Sequence, residues 1–198
     1  MMINIDIICA AVMEHYAFIS ALEINALLRM DLLSGKTEYV CRFEKETRGL
    51  RLHGKAFCYG KQVWFTPLFG EFIACFHTNE NRMEYFEVPK RITGTLGRST
   101  FWLQTDDGDI SPAFSDVGRF DDHKLYLVPA VSDTVIILDM KTGSLTPFYD
   151  VIHVENELMG CGTVCGNKLW MAPYIGNQLI CLDIKTGEVE RQNCTCEL

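Results

Sequence analysis

The chain has 198 residues, 48% of them hydrophobic, which is enough for one domain, or at most two, around a sizeable core. Its 18 Lys and Arg against 26 Asp and Glu leave a formal charge of −8. That acidic balance argues against general nucleic-acid binding, which needs a basic footprint.

Two apolar runs open the chain, Ile7–Met13 and Tyr16–Leu22. Asp6, Glu14 and Glu23 interrupt them, and no basic segment precedes them, so they do not read as a signal peptide. No uncharged apolar run approaches the ~18–20 residues of a membrane span. A cytoplasmic protein with no membrane partner is expected. The nine cysteines fit this setting as free thiols, buried as small hydrophobes or left reduced at the surface. Cys161, Cys165, Cys194 and Cys196 lack the paired C-x-x-C spacing of a structural zinc site, so neither a metal nor a cofactor is expected. Cys194 and Cys196, beside the C-terminus, are the expected reactive pair.

In the first segment, Phe18 lies on an apolar run, and Met30-Asp31-Leu32-Leu33-Ser34-Gly35 ends the next one with a turn. The pattern returns 46 residues later. Val63-Trp64-Phe65-Thr66-Pro67 is followed by Phe76-His77-Thr78-Asn79-Glu80-Asn81, with His77 replacing the Asp and Asn81 the Gly. Asn is the other residue that tolerates the left-handed region, so the turn survives. The next step is 62 residues, which implies an insertion at 90–116. It carries Gly94-Thr95-Leu96-Gly97, too short for a phosphate loop, and Trp102, which reads as a contact residue or an anchor for the loop. It also carries Thr105-Asp106-Asp107-Gly108-Asp109, which lacks the alternating ligands and distal Glu of an EF-hand loop.

The last two segments repeat without a gap. Shifted by 44 residues, Phe120–Gly143 lies on Val164–Gly187, and both end in Asp-x-Lys-Thr-Gly. A period in the forties is the mark of a repeat architecture. Within the last unit the expected parts are a strand at Lys168–Ala172, a loop at Tyr174–Asn177, a strand at Gln178–Ile184, a turn, and a strand at Glu188–Gln192. Upstream of each aromatic strand, Ala10, Ala56, Gly118 and Gly162 share one column. A small residue at the same place in every repeat implies crowding, as around a central axis.

These features predict an all-β chain, a β-propeller of four-stranded antiparallel blades with four blades visible. The whole chain forms one domain, with blades near 5–46, 51–90, 114–152 and 158–194. The Leu-Asp-x-Lys-Thr-Gly endings resemble blades of bacterial β-propellers of the quinoprotein-like and Kelch-like kind. That resemblance implies the fold and no single activity, and the residues that hold a quinone cofactor in such enzymes have no match here. Three arrangements fit: a closed four-bladed ring, a short version of a larger propeller, and an open half that pairs with another copy. Self-association or a longer parent is the expectation. Trp64, Tyr126 and Trp170, at equivalent positions, are expected to pack between blades.

Function should sit where repeats differ. His53, Lys55, Asp116 and Arg119 break the apolar pattern of the inner strands and are expected near the mouth of the channel. Lys55 and Arg119 suit an anionic ligand, Arg with bidentate geometry. His53 and Asp116 form an acid/base pair if they lie within hydrogen-bond reach. The plainer alternative is a set of solvated residues lining a wet channel. His53, Lys55, Trp102, Asp116 and Arg119 are the candidate ligand-binding residues, and no catalytic motif is recognisable. The leading expectation is a non-catalytic scaffold that binds a protein or a small polar ligand on its loop face. The rival is a hydrolase or lyase acting on a sugar-like or anionic substrate through those four polar residues.

Overall fold

The computed structural model describes residues 7–47, 49–88, 114–120, 123–129, 133–152 and 158–194. Among them there are sixteen β-strands and no helix. The insertion that carries Trp102, together with Cys196 and His153, lies outside the described residues.

The strands form four antiparallel meanders. The first is β1 (Ile7–Met13), β2 (Tyr16–Ala21), β3 (Leu27–Asp31) and β4 (Thr37–Cys41). The second is β5 (His53–Tyr59), β6 (Gln62–Pro67), β7 (Phe72–His77) and β8 (Arg82–Glu87). The third is β9 (Phe114–Phe120), β10 (Lys124–Pro129), β11 (Val135–Asp139) and β12 (Leu145–Phe148). The fourth is β13 (Leu158–Cys165), β14 (Lys168–Ile175), β15 (Gln178–Asp183) and β16 (Val189–Asn193).

The turns follow from local chemistry. Asp31, Asp139 and Asp183 each accept hydrogen bonds from the backbone amides two and three residues on. For Asp31 and Asp183 those amides are the leading cause of carboxyls held below the usual range. Gly35, Gly143 and Gly187 close these turns at φ +71°, +73° and +77°, and Asn81 takes the same role at +51°. One expected boundary shifts. The first half of the loop foreseen at Tyr174–Asn177 is strand, because β13 is long enough for Leu158 to pair with Ile175. The connection shrinks to Gly176-Asn177, with Gly176 at φ +144°, a conformation that only glycine adopts readily.

The described sheets divide into two compact units, the first holding the first two sheets and the second the third and fourth. In the first, Cys9, Ala11 and Phe18 pack on Val63, Phe65, Ala74 and Phe76, with Phe43 and Leu52 supplied by the β4–β5 connection. In the second, Tyr126, Val128 and Ile137 pack on Leu169, Met171, Ile180 and Leu182, joined by Val151, Ile152 and Met159. Each fully buried side chain of this size contributes roughly 1.5–3 kcal/mol, so face-to-face blade packing dominates both cores.

Of the three equivalent aromatics, Tyr126 lies in such a seam. Trp64 is buried, 5.2 Å from Phe86 of its own sheet, and its indole donates to Gln62 Oε1. Trp170 is half-buried, with Lys168 Nζ 6.0 Å from the ring centroid. The small-residue column is crowded at Gly162, where a Cβ would stand 2.9 Å from Val128 Cγ2 and 3.3 Å from the Trp170 carbonyl. The preceding blade causes that crowding, so the physical reason differs from the central axis expected.

Candidate functional site

The loops β2–β3, β4–β5 and β6–β7 emerge at one end of the first unit, and a buried polar network ties them together. Asn25 is its first element. Its side chain accepts from Phe43 N (2.8 Å) and donates to the carbonyls of Phe43 (3.1 Å) and Glu46 (3.4 Å). Glu46 is the second. Buried, it accepts from Glu71 N at 2.9 Å and from Phe72 N at 3.1 Å. A carboxylate bound by several amides is a charge-assisted clamp, stronger than a neutral pair. Gly70 makes room for it, since a Cβ there would stand 2.6 Å from Glu46 Oε1 and 2.9 Å from the Leu52 carbonyl. Backbone bonds complete the platform: Arg51 N to Leu22 O, Phe69 N to Arg51 O, and both Leu68 N and Gly70 N to Leu52 O.

His53 sits beneath this platform at the start of β5. It is buried, with Nδ1 2.8 Å from Ser20 Oγ and its ring 4.4 Å from Phe43 and 5.6 Å from Phe65. Burial in this aromatic cage pulls its pKa down to about 3, so the ring is neutral at physiological pH. Nε2 has no hydrogen-bond partner among the described residues. His53 is therefore a core residue. It is neither an exposed acid/base group nor a solvated lining of a channel.

A β-bulge separates His53 from Lys55. The register jumps from His53↔Pro67 to Lys55↔Thr66, which puts Lys55 on the face that carries Trp64, opposite Phe65 and His53. All four inner strands show such a shift close to this position, at Ile7/Cys9, His53/Lys55, opposite Val128/Pro129, and Met159/Cys161. No composition signal marks these bulges. Asp116 pairs with Val128 and Arg119 with Leu125, both on β9 in the second unit. The expected set is thus divided between the units, His53 and Lys55 in the first, Asp116 and Arg119 in the second.

Above the network, Ile24 and Leu50 are large apolar side chains at 47% and 57% exposure, with Arg51 exposed beside Leu50 and held at φ +52°. Lys45 stands 5.8 Å over Phe72 and 5.7 Å over Tyr85. The arrangement is a stiff base with apolar and cationic groups displayed on it. The hydrogen-bonded pair beneath it, Ser20 and His53, is sealed from solvent.

Sequence reasoning passed over Ser20, Asn25 and Glu46, although one of them left a signal. In the repeat register Asn25 aligns with Glu71, Asp133 and Asn177, a polar residue in every unit. Asn25 ties down Phe43, the Asp133 carbonyl accepts from Val151 N (2.9 Å), and the Asn177 carbonyl accepts from Cys194 N (2.7 Å). At Asn25, Asp133 and Asn177 the column anchors the chain where it leaves an outer strand.

No protein-family model matches this chain, and no curated protein matches it in sequence. Its fold does match solved structures. U3-55K aligns at TM-score 0.60 and 12% identity, over 96% of this chain and 53% of that one. The extracellular domain of the one-component system BT4673 of B. thetaiotaomicron aligns at 0.59 and 14%, over 93% of this chain and 23% of that one. YCF48 bound to D1 peptide aligns at 0.58 and 10%, over 93% of this chain and 52% of that one. Identities this low speak to fold alone. The fold is an all-β propeller of four-stranded blades, four of them in this chain. The chain spans about half the length, or less, of these three neighbours.

Proposed function

We propose that this protein is a non-catalytic β-propeller scaffold whose loop face in the first unit, at Ile24, Leu50 and Arg51, binds a protein partner through an extended peptide segment. The observation that carries this reading is the Asn25–Glu46 network under those residues. A surface whose loops are already fixed loses little conformational entropy on binding, which is what preorganisation contributes to affinity. Exposed Leu50 and Ile24 supply apolar contact, and Arg51 supplies a cation for an acidic or carboxylate-bearing side chain. A propeller of the same fold has been solved with a peptide, which supports a peptide ligand without identifying it.

Selection from a phage-displayed peptide library followed by calorimetric titration tests the proposal. Leu50→Asp is expected to weaken a selected peptide at least tenfold, while Leu33→Asp, at an exposed turn on the opposite end of the same unit, leaves it unchanged. Equal affinities for the two variants would refute the assignment. The small polar ligand is the second form of the proposal, with Lys55 in the first unit and Arg119 in the second as separate candidates. A metabolite panel read by thermal shift, with Arg119→Ala as the control, decides it: a stabilising ligand lost in that variant supports it. The hydrolase or lyase reading loses the acid/base role expected of His53, which is buried and neutral.

A further inference from the structure

The blade seam of the first unit carries a polar pair where that of the second is apolar. In the repeat register Ser20 and His53 fall on the columns of Val128 and Met159, which are buried in the core of the second unit. The polar pair is only partly satisfied. Nδ1 of His53 lies 2.8 Å from Ser20 Oγ, while Nε2, also buried, has no hydrogen-bond partner among the described residues. A neutral ring leaves that one nitrogen unpaired. An imidazolium would place a charged donor there with nothing to receive it.

No neighbouring charge offsets that penalty. From β2 comes the Ser20 hydroxyl, from β1 the buried Cys9 thiol that pairs with Ser20 in register, and from β6 Phe65 and Pro67. The β4–β5 connection brings Phe43 and the buried Glu46, whose carboxylate is taken up by the Glu71 and Phe72 amides. Glu23, Arg42, Glu44 and Lys45 are exposed, and Lys55 lies on the other face of β5. Burial alone sets the titration of the ring.

The chain around His53 has a place to pivot. The bulge leaves Gly54 without a strand partner, so His53 can swing away while Lys55 through Tyr59 stay paired with Thr66 through Gln62. Arg51, two residues earlier, is held at φ +52°, a strained conformation for a residue with a side chain. Backbone bonds hold this segment down: Arg51 N to Leu22 O, Phe69 N to Arg51 O, and both Leu68 N and Gly70 N to Leu52 O. The His53–Ser20 pair is the remaining tie, and of all of them it alone changes charge within reach of neutral pH.

We propose that acid opens the loop face of the first unit, protonated His53 swinging out of its cage about Gly54 and carrying Leu50–Leu52 with it. A ring that titrates near 6.5 once solvated and at about 3 in the cage favours the open form roughly twentyfold more at pH 5 than at pH 7. Burial disfavours the charged form, so closure is fully favoured above 6.5 and is lost as pH falls toward 3. The second unit, with Val128 and Met159 in the same columns, has no titrating group at that point of its seam. One consequence rests on the reading that Leu50 and Arg51 bind a peptide. Protons and peptide then favour opposite states of this segment, and acid weakens the complex.

Native-state hydrogen exchange on the full chain at pH 7 and pH 5, corrected for intrinsic rates, tests it. The protection of the Arg51, Leu68 and Gly70 amides is expected to fall about twentyfold at the lower pH. That of Val151, which takes the Phe43 column in the second unit and donates to Asp133 O, is expected to hold. Two variants remove the titration: Ser20→Ala combined with His53→Leu, and His53→Gln, which leaves Ser20 a polar neighbour. In both, all these amides keep their protection. Unchanged protection in the wild type overturns the proposal. Opening that persists in both variants overturns it too and places the titration elsewhere, as at Glu46. A loss shared by Val151 does the same, since the unfolding is then global. A saturating phage-selected peptide is expected to restore protection at pH 5, and a peptide that binds without restoring it overturns the coupling. The first arm uses no peptide, so its failure sinks the switch and leaves the binding assignment to the Leu50→Asp titration.

Discussion

The burial of His53 has a consequence in the pH dependence of stability. Its folded pKa is lowered from 6.5 to about 3 by desolvation, so the native state holds the ring neutral while the unfolded chain protonates it freely. A group depressed in this direction contributes stability that is fully present above the unfolded value and lost as pH falls from 6.5 toward 3. Each pH unit inside that window costs about 1.4 kcal/mol, so lowering the pH from 7 to about 4.5 removes roughly 2–3 kcal/mol. His53→Leu abolishes this titration. It also strands the buried Ser20 hydroxyl, which costs about 1–3 kcal/mol at pH 7, and adding Ser20→Ala relieves most of that penalty by removing both partners. Urea unfolding followed by tryptophan fluorescence at pH 7, 6, 5 and about 4.5 measures the effect. The double variant is expected to match the wild type near neutral pH and to exceed it by roughly 2 kcal/mol at the acid end. The turn carboxylates Asp31 and Asp183 also lose stabilisation in acid, but mainly below the pH range of the assay and equally in both proteins. Parallel stability curves for the two proteins would refute the reasoning, because they would mean that His53 is solvated in the native state.

Other substitutions test the packing directly. Glu46→Ala strands the amides of Glu71 and Phe72 and is expected to cost about 2–4 kcal/mol. Gly70→Ala, whose Cβ would collide with Glu46 Oε1 and with the Leu52 carbonyl, should cost a similar amount alone and less in the Glu46→Ala background, where the carbonyl contact remains; additive losses in a double-mutant cycle would count against the clamp. Gly162→Ala is expected to destabilise by about 1–3 kcal/mol, and Val128→Ala should reduce that cost by making room, as chemical denaturation of the four combinations can show. Tyr126→Ala empties the seam of the second unit and should cost about 3–5 kcal/mol in the same assay.

The sequence by itself determined the repeat. The Asp-x-Lys-Thr-Gly endings encode turns through contacts within five residues, and apolar runs of strand length between them leave the chain few alternatives to antiparallel meanders. Such information is local, so it can be read without knowing what lies across the sheet. Even the register that aligns Asn25, Glu71, Asp133 and Asn177 was present in the sequence, although its purpose was not. Tertiary structure decided whether a polar residue is displayed or sealed. His53 breaks the apolar pattern as an active-site residue would, yet Phe43 and Phe65 enclose it and Ser20 pairs with it, from positions 10 to 33 residues away. The bulge that turns Lys55 to the other face depends on how β5 meets β6, and no single residue announces it. Glu46 looks in sequence like one more charge in a polar loop. It becomes a buried clamp only because the loop after β6 brings its amides there, with Gly70 leaving the space. Desolvation and hydrogen-bond partnership come from distant parts of the chain, and they decide which of its polar residues meet a partner.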